Sequence, residues 1–184
     1  MKYLVLIACL LALGCPALLK DFDCSAPALE EGEVRPPDFS WDLEKRAHCA
    51  IRYTSNPGYG CDVLEQVVYD NVLAFNPEPF PANGIYTLDA CHVGDMHGDF
   101  IQAHRQTGDR KYIDELVLAF NEVDGRCIVE GSSRATVDSW WDYHTNYCNI
   151  RNLMRNIPEA FSERPEVLNC LFVPEDTVAE CDLH

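Results

Sequence analysis

Apolar residues recur at intervals of three and four along most of the chain, which is the spacing of amphipathic helices. The clearest run follows Cys61 and ends at Asn76-Pro77, because proline stops a helix. Helices are predicted over residues 41–52, 63–75, 91–104, 111–126 and 135–156. Alternating strand patterns are few, and no internal repeat is present. We therefore expect an all-α domain, with a central antiparallel helix pair joined by the short break at 106–109.

The amino terminus predicts an exported protein. Lys2 precedes an apolar run from Leu4 to Gly14, which has the layout of a secretory signal peptide and is too short to span a bilayer. We predict a signal peptide over residues 1–17, an extended proline-interrupted arm over 18–40 and a single disulfide-rich helical domain over 41–184. Lipid modification of Cys15 is the alternative use of the leader. Other apolar runs are too short for a transmembrane segment.

Cysteine content and charge agree with an extracellular protein. Removal of a leader containing Cys9 and Cys15 leaves eight of the ten cysteines, an even number that predicts four disulfides in an oxidising compartment. The sequence leaves their connectivity open. The formal net charge of -16, without any basic cluster, argues against nucleic-acid binding and against docking to anionic membranes.

Residues 89–100 hold the densest group of chemically active side chains. His92, Asp95 and Asp99 fall at i, i+3 and i+7, so a helix would place them on one face, where they could bind a divalent ion. A solvated helix face is the alternative interpretation of the same spacing.

A family resemblance involves the same region. Cys91 followed by Asp95, then Ile113-Asp114 in the next predicted helix and Cys127 at its end, resembles the secreted phospholipase A2 superfamily, in particular its bacterial, fungal and cone-snail branch. The resemblance spans residues 58–148. It implies an all-α fold and a calcium-dependent phospholipase in which a histidine acts as general base.

The resemblance also implies roles for individual residues. Asp95 would bind calcium together with a carbonyl at Gly60, and Asp114 would orient the catalytic histidine. Gly94 stands where the family has that histidine, and His97 is the nearest substitute on the same predicted face. Catalysis is therefore expected to be weakened or lost. A disulfide between Cys61 and Cys91 is a further implication, and we expect this one to be decisive.

An aromatic stretch supplies candidate ligand-binding residues. Trp140, Trp141 and Tyr143 could line an apolar pocket or an interface. Core packing is the more common use of Trp140 and Tyr147 in such a helix. The sequence thus predicts a secreted phospholipase A2-like protein that binds or hydrolyses phospholipid, or binds another apolar small molecule. The alternative is a non-enzymatic secreted binding or structural module stabilised by four disulfides.

Overall fold

The computed structural model describes residues 46–92 and 99–183, which form a β-sheet carrying helices on one face. The strands are β1 (His48–Thr54), β2 (Ile85–His92), β3 (Asp99–Gln106), β4 (Ile113–Val123), β5 (Arg126–Ala135) and β6 (Glu166–Cys170). The helices are α1 (Cys61–Ala74), α2 (Thr145–Met154) and α3 (Thr177–Cys181), with a 3-10 turn at Pro158–Ala160.

The six strands form one antiparallel sheet in the order β2-β3-β4-β5-β1-β6. Strands β2 to β5 follow one another as a meander, and β1 pairs with the far side of β5. Because β1 and β2 lie on opposite sides of this meander, α1 connects them by crossing the sheet. Both α1 and α2 pack on the same sheet face.

The prediction of an all-α fold is wrong, and β4 shows why. Asp114, Leu116, Leu118 and Phe120 alternate as buried residues that face the helices. Val117, on the other face, is half-buried. Apolar residues on both faces of a strand also satisfy helical spacing over a short window, so periodicity alone did not separate the two structures.

Other predicted helices fail for the same reason, although one connection was correct. The predicted helix at 91–104 is the end of β2 and most of β3, and the segment 41–52 contains the start of β1. The predicted antiparallel pair exists as a β-hairpin, in which Thr107 N–H donates to the Tyr112 carbonyl at 3.0 Å across the turn. The short break therefore predicted the antiparallel direction but not the secondary structure.

Helix α1 is the element that the sequence predicted best. It begins at Cys61, directly after Gly60, and ends at Ala74, two residues before the predicted stop at Asn76-Pro77. Leu64, Val68 and Val72 face the sheet and are almost fully buried. The prediction at 135–156 was too long, because only Thr145–Met154 is α-helical.

Helix α2 lies unusually close to β5. A Cβ placed on Gly131 would stand 2.4 Å from Ile150 Cγ2, so glycine permits this approach. The core between the sheet and the helices contains aliphatic and aromatic side chains, chiefly Ile51, Tyr53, Leu64, Val68, Ile101, Leu116, Leu118, Phe120, Val129, Ile150 and Leu153.

Disulfides connect distant parts of the described chain. The pairs are Cys49–Cys170, Cys61–Cys127 and Cys148–Cys181, and Cys91 is also disulfide-bonded. Disulfide bonding of the cysteines within residues 46–92 and 99–183 was thus correctly expected. The expected Cys61–Cys91 pair is wrong, because the sheet places the start of α1 beside the start of β5, and Cys127 is within reach there.

Candidate functional site

An open cleft of about 390 Å³ lies at one end of the sheet, where loops from four segments meet. The segments are the loop before β2, the β3–β4 turn, the loop before α2 and the carboxyl-terminal residues. The lining residues are Pro81, Ala82, Asn83, Arg105, Thr107, Gly108, Asp109, Tyr112, Tyr143, Thr145 and Leu183. Aromatic and aliphatic surface therefore alternates with hydroxyl, amide and carboxylate groups around the opening.

A buried ion pair forms the base of the cleft. Arg105 Nε donates to Glu78 Oε2 at 2.8 Å, and Arg105 Nη2 lies 2.6 Å from the same oxygen. The other Glu78 oxygen accepts from Asn152 Nδ2 at 3.1 Å. The Arg105 side chain is 1% exposed and that of Glu78 is 0% exposed, so the pair is well removed from bulk water. Such a pair keeps its geometry because either charge left alone would be strongly destabilising.

The surroundings of Arg105 leave its guanidinium little freedom. A Cβ on Gly84 would lie 2.4 Å from Arg105 Nε, so the backbone of the loop packs directly against the guanidinium. On β2, the Tyr86 ring centroid is 5.7 Å from Arg105 Cζ, within the range of a cation–π contact. Glycine at position 84 and tyrosine at position 86 thus hold the base of the cleft rigid.

Two exposed tyrosines, Tyr112 and Tyr143, line the cleft, and two exposed tryptophans, Trp140 and Trp141, precede Tyr143 in the same loop. We call these four residues the aromatic rim. The exposed fractions of Tyr112, Trp140, Trp141 and Tyr143 are 52%, 64%, 73% and 69%, respectively. The rings of Trp141 and Tyr143 stack with centroids 6.4 Å apart. Rings this exposed leave apolar area in contact with water that a bound apolar group would cover.

The backbone of the loop before α2 is held in a specific shape. Tyr143 and His144 both have positive φ values, of 46° and 66°, a conformation that costs energy in residues other than glycine. Asp142 compensates by accepting from the backbone N–H of Asn146 at 3.0 Å, and the Ser139 hydroxyl donates to the Trp141 carbonyl at 3.0 Å. The rim is therefore presented by a constrained loop.

A buried polar network connects this loop to the sheet. Asn149 Nδ2 donates to Asp114 Oδ2 at 2.8 Å and to the Ser133 hydroxyl at 3.0 Å. Ser133 donates to Asn146 Oδ1, and Asn146 Nδ2 donates to Asp142 Oδ1, both at 2.7 Å. The carboxylates of Asp114 and Asp142 are thus the two ends of one hydrogen-bonded chain between β4 and the rim loop.

Both terminal carboxyls of this network are harder to ionise than usual. Burial raises the pKa of Asp142 to about 6, partly offset by its hydrogen bonds from Asn146, and the negative charge of Asp114 raises it further. Burial also raises the pKa of Asp114, against the opposing effects of the Asn149 hydrogen bond and the Arg105 charge. Desolvation therefore dominates at both ends of the network.

The catalytic arrangement expected from the phospholipase resemblance is not assembled among the described residues. Asp114 is buried, but it lies on a strand and is hydrogen-bonded to an asparagine instead of a histidine. Gly94, Asp95 and His97 lie outside the described residues. The helix pair that carries the motif in the resemblance is absent here, since β3 and β4 occupy most of its place.

The expected calcium ligand Gly60 is already used in the helix. Its carbonyl accepts the first helical hydrogen bond of α1, from Leu64 N–H at 3.4 Å. Within residues 46–92 and 99–183, no group of three or more histidine, cysteine, aspartate or glutamate side chains is arranged to hold a metal ion. Asp95, the other expected ligand, lies outside the described residues, so the calcium site stays a prediction and we derive no chemistry through calcium.

A histidine–aspartate pair is present on the opposite face of the sheet. His104 Nδ1 lies 2.7 Å from Asp89 Oδ1, and both side chains are about one-third exposed. Nucleophilic catalysis would require a hydroxyl or thiol at the other ring nitrogen. No described residue forms a hydrogen bond there, so we interpret the pair as part of the charged outer face, next to Glu115 and Arg134.

Sequence reasoning missed the base of the cleft, and its ligand contacts stay a prediction. Of the predicted Trp140, Trp141 and Tyr143, Tyr143 lines the cleft and Trp141 stacks on Tyr143. The expectation that Trp140 packs in the core is wrong, whereas Tyr147 is buried as expected. The buried polar groups had one local signal, since Asn146, Asn149 and Asn152 recur every three positions on α2.

The described helices also bear on membrane topology. None of them within residues 46–92 and 99–183 combines the length and apolar character that crossing a bilayer requires.

Comparison of the chain with known protein families, with curated proteins and with solved structures finds no match. The geometry of the cleft is therefore the basis on which a function is argued.

Proposed function

We propose that this protein is a non-enzymatic, secreted binding module whose cleft takes a small amphiphilic molecule, such as a phospholipid or another ligand with an apolar body and a polar end. The observation that carries the proposal is the cleft itself, where exposed aromatic side chains surround a base of buried, fully paired polar groups. Ligand sites generally combine apolar walls with a few fixed polar groups.

The lining favours an amphiphile over a wholly polar or wholly apolar ligand. Tyr112, Tyr143 and Leu183 offer apolar contact to a chain or ring, while Thr107 and Asn83 can form hydrogen bonds. Arg105 is already satisfied by Glu78, so it supplies shape and polar N–H groups without needing the ligand as a partner. A ligand with a negative or dipolar head and an apolar body fits this combination.

The scaffold suits binding in an extracellular fluid. Disulfides tie β1 to β6, α1 to β5 and α2 to α3, and the last of these holds the elements on both sides of the cleft. Cross-links of this kind stabilise the folded state chiefly by restricting the unfolded chain. A rigid cleft also loses less conformational entropy on binding, which favours affinity.

Binding of monomeric lysophosphatidylcholine, measured by calorimetry below its micelle concentration, tests the proposal. We expect one saturable site, with affinity lowered at least tenfold in Tyr112→Ala and in Tyr143→Ala, since each substitution removes an aromatic wall. Leu73→Ala is the matched control, because Leu73 is 54% exposed on α1 and does not line the cleft.

Three results would overturn the proposal. Absence of saturable binding, or equal loss in the Leu73→Ala control, would show that the cleft is not the site. Calcium-dependent release of fatty acid from phospholipid, lost in Asp114→Asn, would instead establish an enzyme of the kind that the phospholipase resemblance implies.

A further inference from the structure

The exposed aromatic surface extends beyond the cleft itself. Phe80, which precedes the cleft residue Pro81, is 86% exposed, and Val137 is 50% exposed. Val137 is held near the rim because its neighbour Thr136 donates two hydrogen bonds to the Ile113 carbonyl, at 3.0 Å from the backbone and 2.8 Å from the hydroxyl. Three chain segments that reach the cleft, at 80–83, 107–112 and 137–145, thus each carry exposed apolar side chains.

We propose that the aromatic rim docks this protein on the interface of a zwitterionic phospholipid bilayer, with the cleft opening toward the lipid headgroups. The proposal deepens and rests on the proposed function, because it names the surface on which the cleft meets its amphiphile. Tryptophan and tyrosine favour the membrane–water interface because their rings are apolar while the indole N–H and phenol O–H remain hydrated.

Charge selects the zwitterionic surface over an anionic one. The chain carries a formal net charge of -16, which repels anionic lipid. Two charged pairs lie close to the rim, with Lys111 Nζ 3.0 Å from Asp109 Oδ2 and Arg46 Nε 3.6 Å from Asp138 Oδ1. A surface of zero net charge imposes no long-range repulsion on this acidic chain.

The same charge argues against a second copy of this chain as the occupant. Two chains that each carry -16 repel one another as they approach. A neutral lipid surface imposes no such repulsion. The constrained loop also favours docking, because the rings of Trp141 and Tyr143 are already stacked and need little ordering.

The test uses the intrinsic fluorescence of the full chain. The sequence has three tryptophans, and replacing Trp41 with phenylalanine leaves Trp140 and Trp141 as the reporters. With phosphatidylcholine vesicles we expect co-flotation, a blue shift of the emission and quenching by lipid brominated near the headgroup. Vesicles of equal parts phosphatidylcholine and phosphatidylserine should bind more weakly.

The double variant Trp140→Ala/Trp141→Ala should lower the vesicle partition coefficient at least tenfold. Val178→Ala is the matched control, because Val178 is 57% exposed on α3 and outside the rim. Unfolding curves that match those of the unmodified chain would show that the double variant is folded. Tyr112→Ser, which alters the opposite side of the rim, should also weaken partitioning and supplies a second test.

Several results would overturn the inference. These are absence of vesicle binding, binding unchanged in the double variant, stronger binding to anionic vesicles, or a dimer in sedimentation equilibrium that the double variant abolishes. Failure is distinguishable from failure of the proposed function: monomeric lysophosphatidylcholine bound without vesicle binding contradicts only the interface, whereas vesicle binding without a saturable monomer site contradicts only the cleft.

Discussion

Replacing Glu65 with glutamine should make the stability of this protein less sensitive to pH. Glu65 lies on α1, is 5% exposed and is hydrogen-bonded to Asp99 at the start of β3. Burial raises its pKa to about 8, and the hydrogen bond and charge of Asp99 and the charge of Asp62 act in the same direction. At neutral pH, Glu65 therefore keeps a proton that it shares with Asp99.

The size of the effect follows from the pKa difference. A glutamate side chain has an ordinary pKa of 4.5, so the unfolded chain releases this proton over a range in which the folded chain retains it. The free energy of unfolding then falls by about 1.4 kcal/mol for each pH unit, which amounts to as much as about 5 kcal/mol across the whole range. The stabilisation of the folded state by protonated Glu65 is complete below pH 4.5. It is lost as the pH rises and is gone above about pH 8.

Replacing Glu65 with glutamine removes the titration and keeps the packing of the side chain. Its amide donates to Asp99 as the protonated carboxyl does, but it does not titrate. Glu65→Gln should therefore gain stability relative to the unmodified chain between about pH 4.5 and pH 8, with a gain of about 3 kcal/mol already present at pH 7.

Urea unfolding without reductant, repeated over a series of pH values, measures this difference. Glu163→Gln is the control, because Glu163 is exposed, and its difference from the unmodified chain should show no comparable rise. A difference for Glu65→Gln that stays constant from acid to alkaline pH would refute the reasoning, since it would mean that Glu65 titrates alike in the folded and unfolded chain.

Three further predictions concern the Asp142 carboxyl, the Arg105–Glu78 ion pair and the contact of α2 with β5. Urea unfolding checks each of them. Asp142→Asn should abolish a loss of stability of about 3 kcal/mol that the unmodified chain undergoes between about pH 4 and pH 6, because burial raises the pKa of Asp142 to about 6. An unchanged pH profile would contradict this. Arg105→Met should destabilise by about 3–5 kcal/mol because it leaves Glu78 charged and buried, and adding Glu78→Leu should restore much of the loss. No recovery in the double variant would count against the ion-pair explanation. Gly131→Ala should destabilise by about 1–3 kcal/mol because its Cβ would meet Ile150, and Ile150→Val should relieve part of that cost. If the double variant loses as much stability as Gly131→Ala alone, or the sum of the two single losses, the two positions do not clash.

Local sequence signals predicted some elements well because those elements depend on nearby residues. The helix after Cys61 has a glycine-containing turn before it, helical apolar spacing within it and proline after it, and all of these act within a few residues. The hairpin turn after Gln106 was likewise found from its own residues, although the strands on either side were not.

The strands and the cleft required information that is distant in the chain. Arg105 occupies an inward position of β3, and its burial is tolerable only because Glu78, 27 residues away, is placed against it. A charged residue among apolar neighbours does not by itself show such a partner. For the same reason, the resemblance to a helical hydrolase rested on spacing that a pair of strands also satisfies.

The sequence by itself determined the helix at Cys61, the turn after Gln106 and the disulfide bonding of the described cysteines. The tertiary structure alone decided that the central segments are strands, that Cys61 pairs with Cys127, and that the aromatic rim stands over a buried ion pair. The physical reason is range: turn and helix signals act over a few residues, whereas strand pairing and disulfide bonding join residues far apart in the chain, 66 positions apart for Cys61 and Cys127.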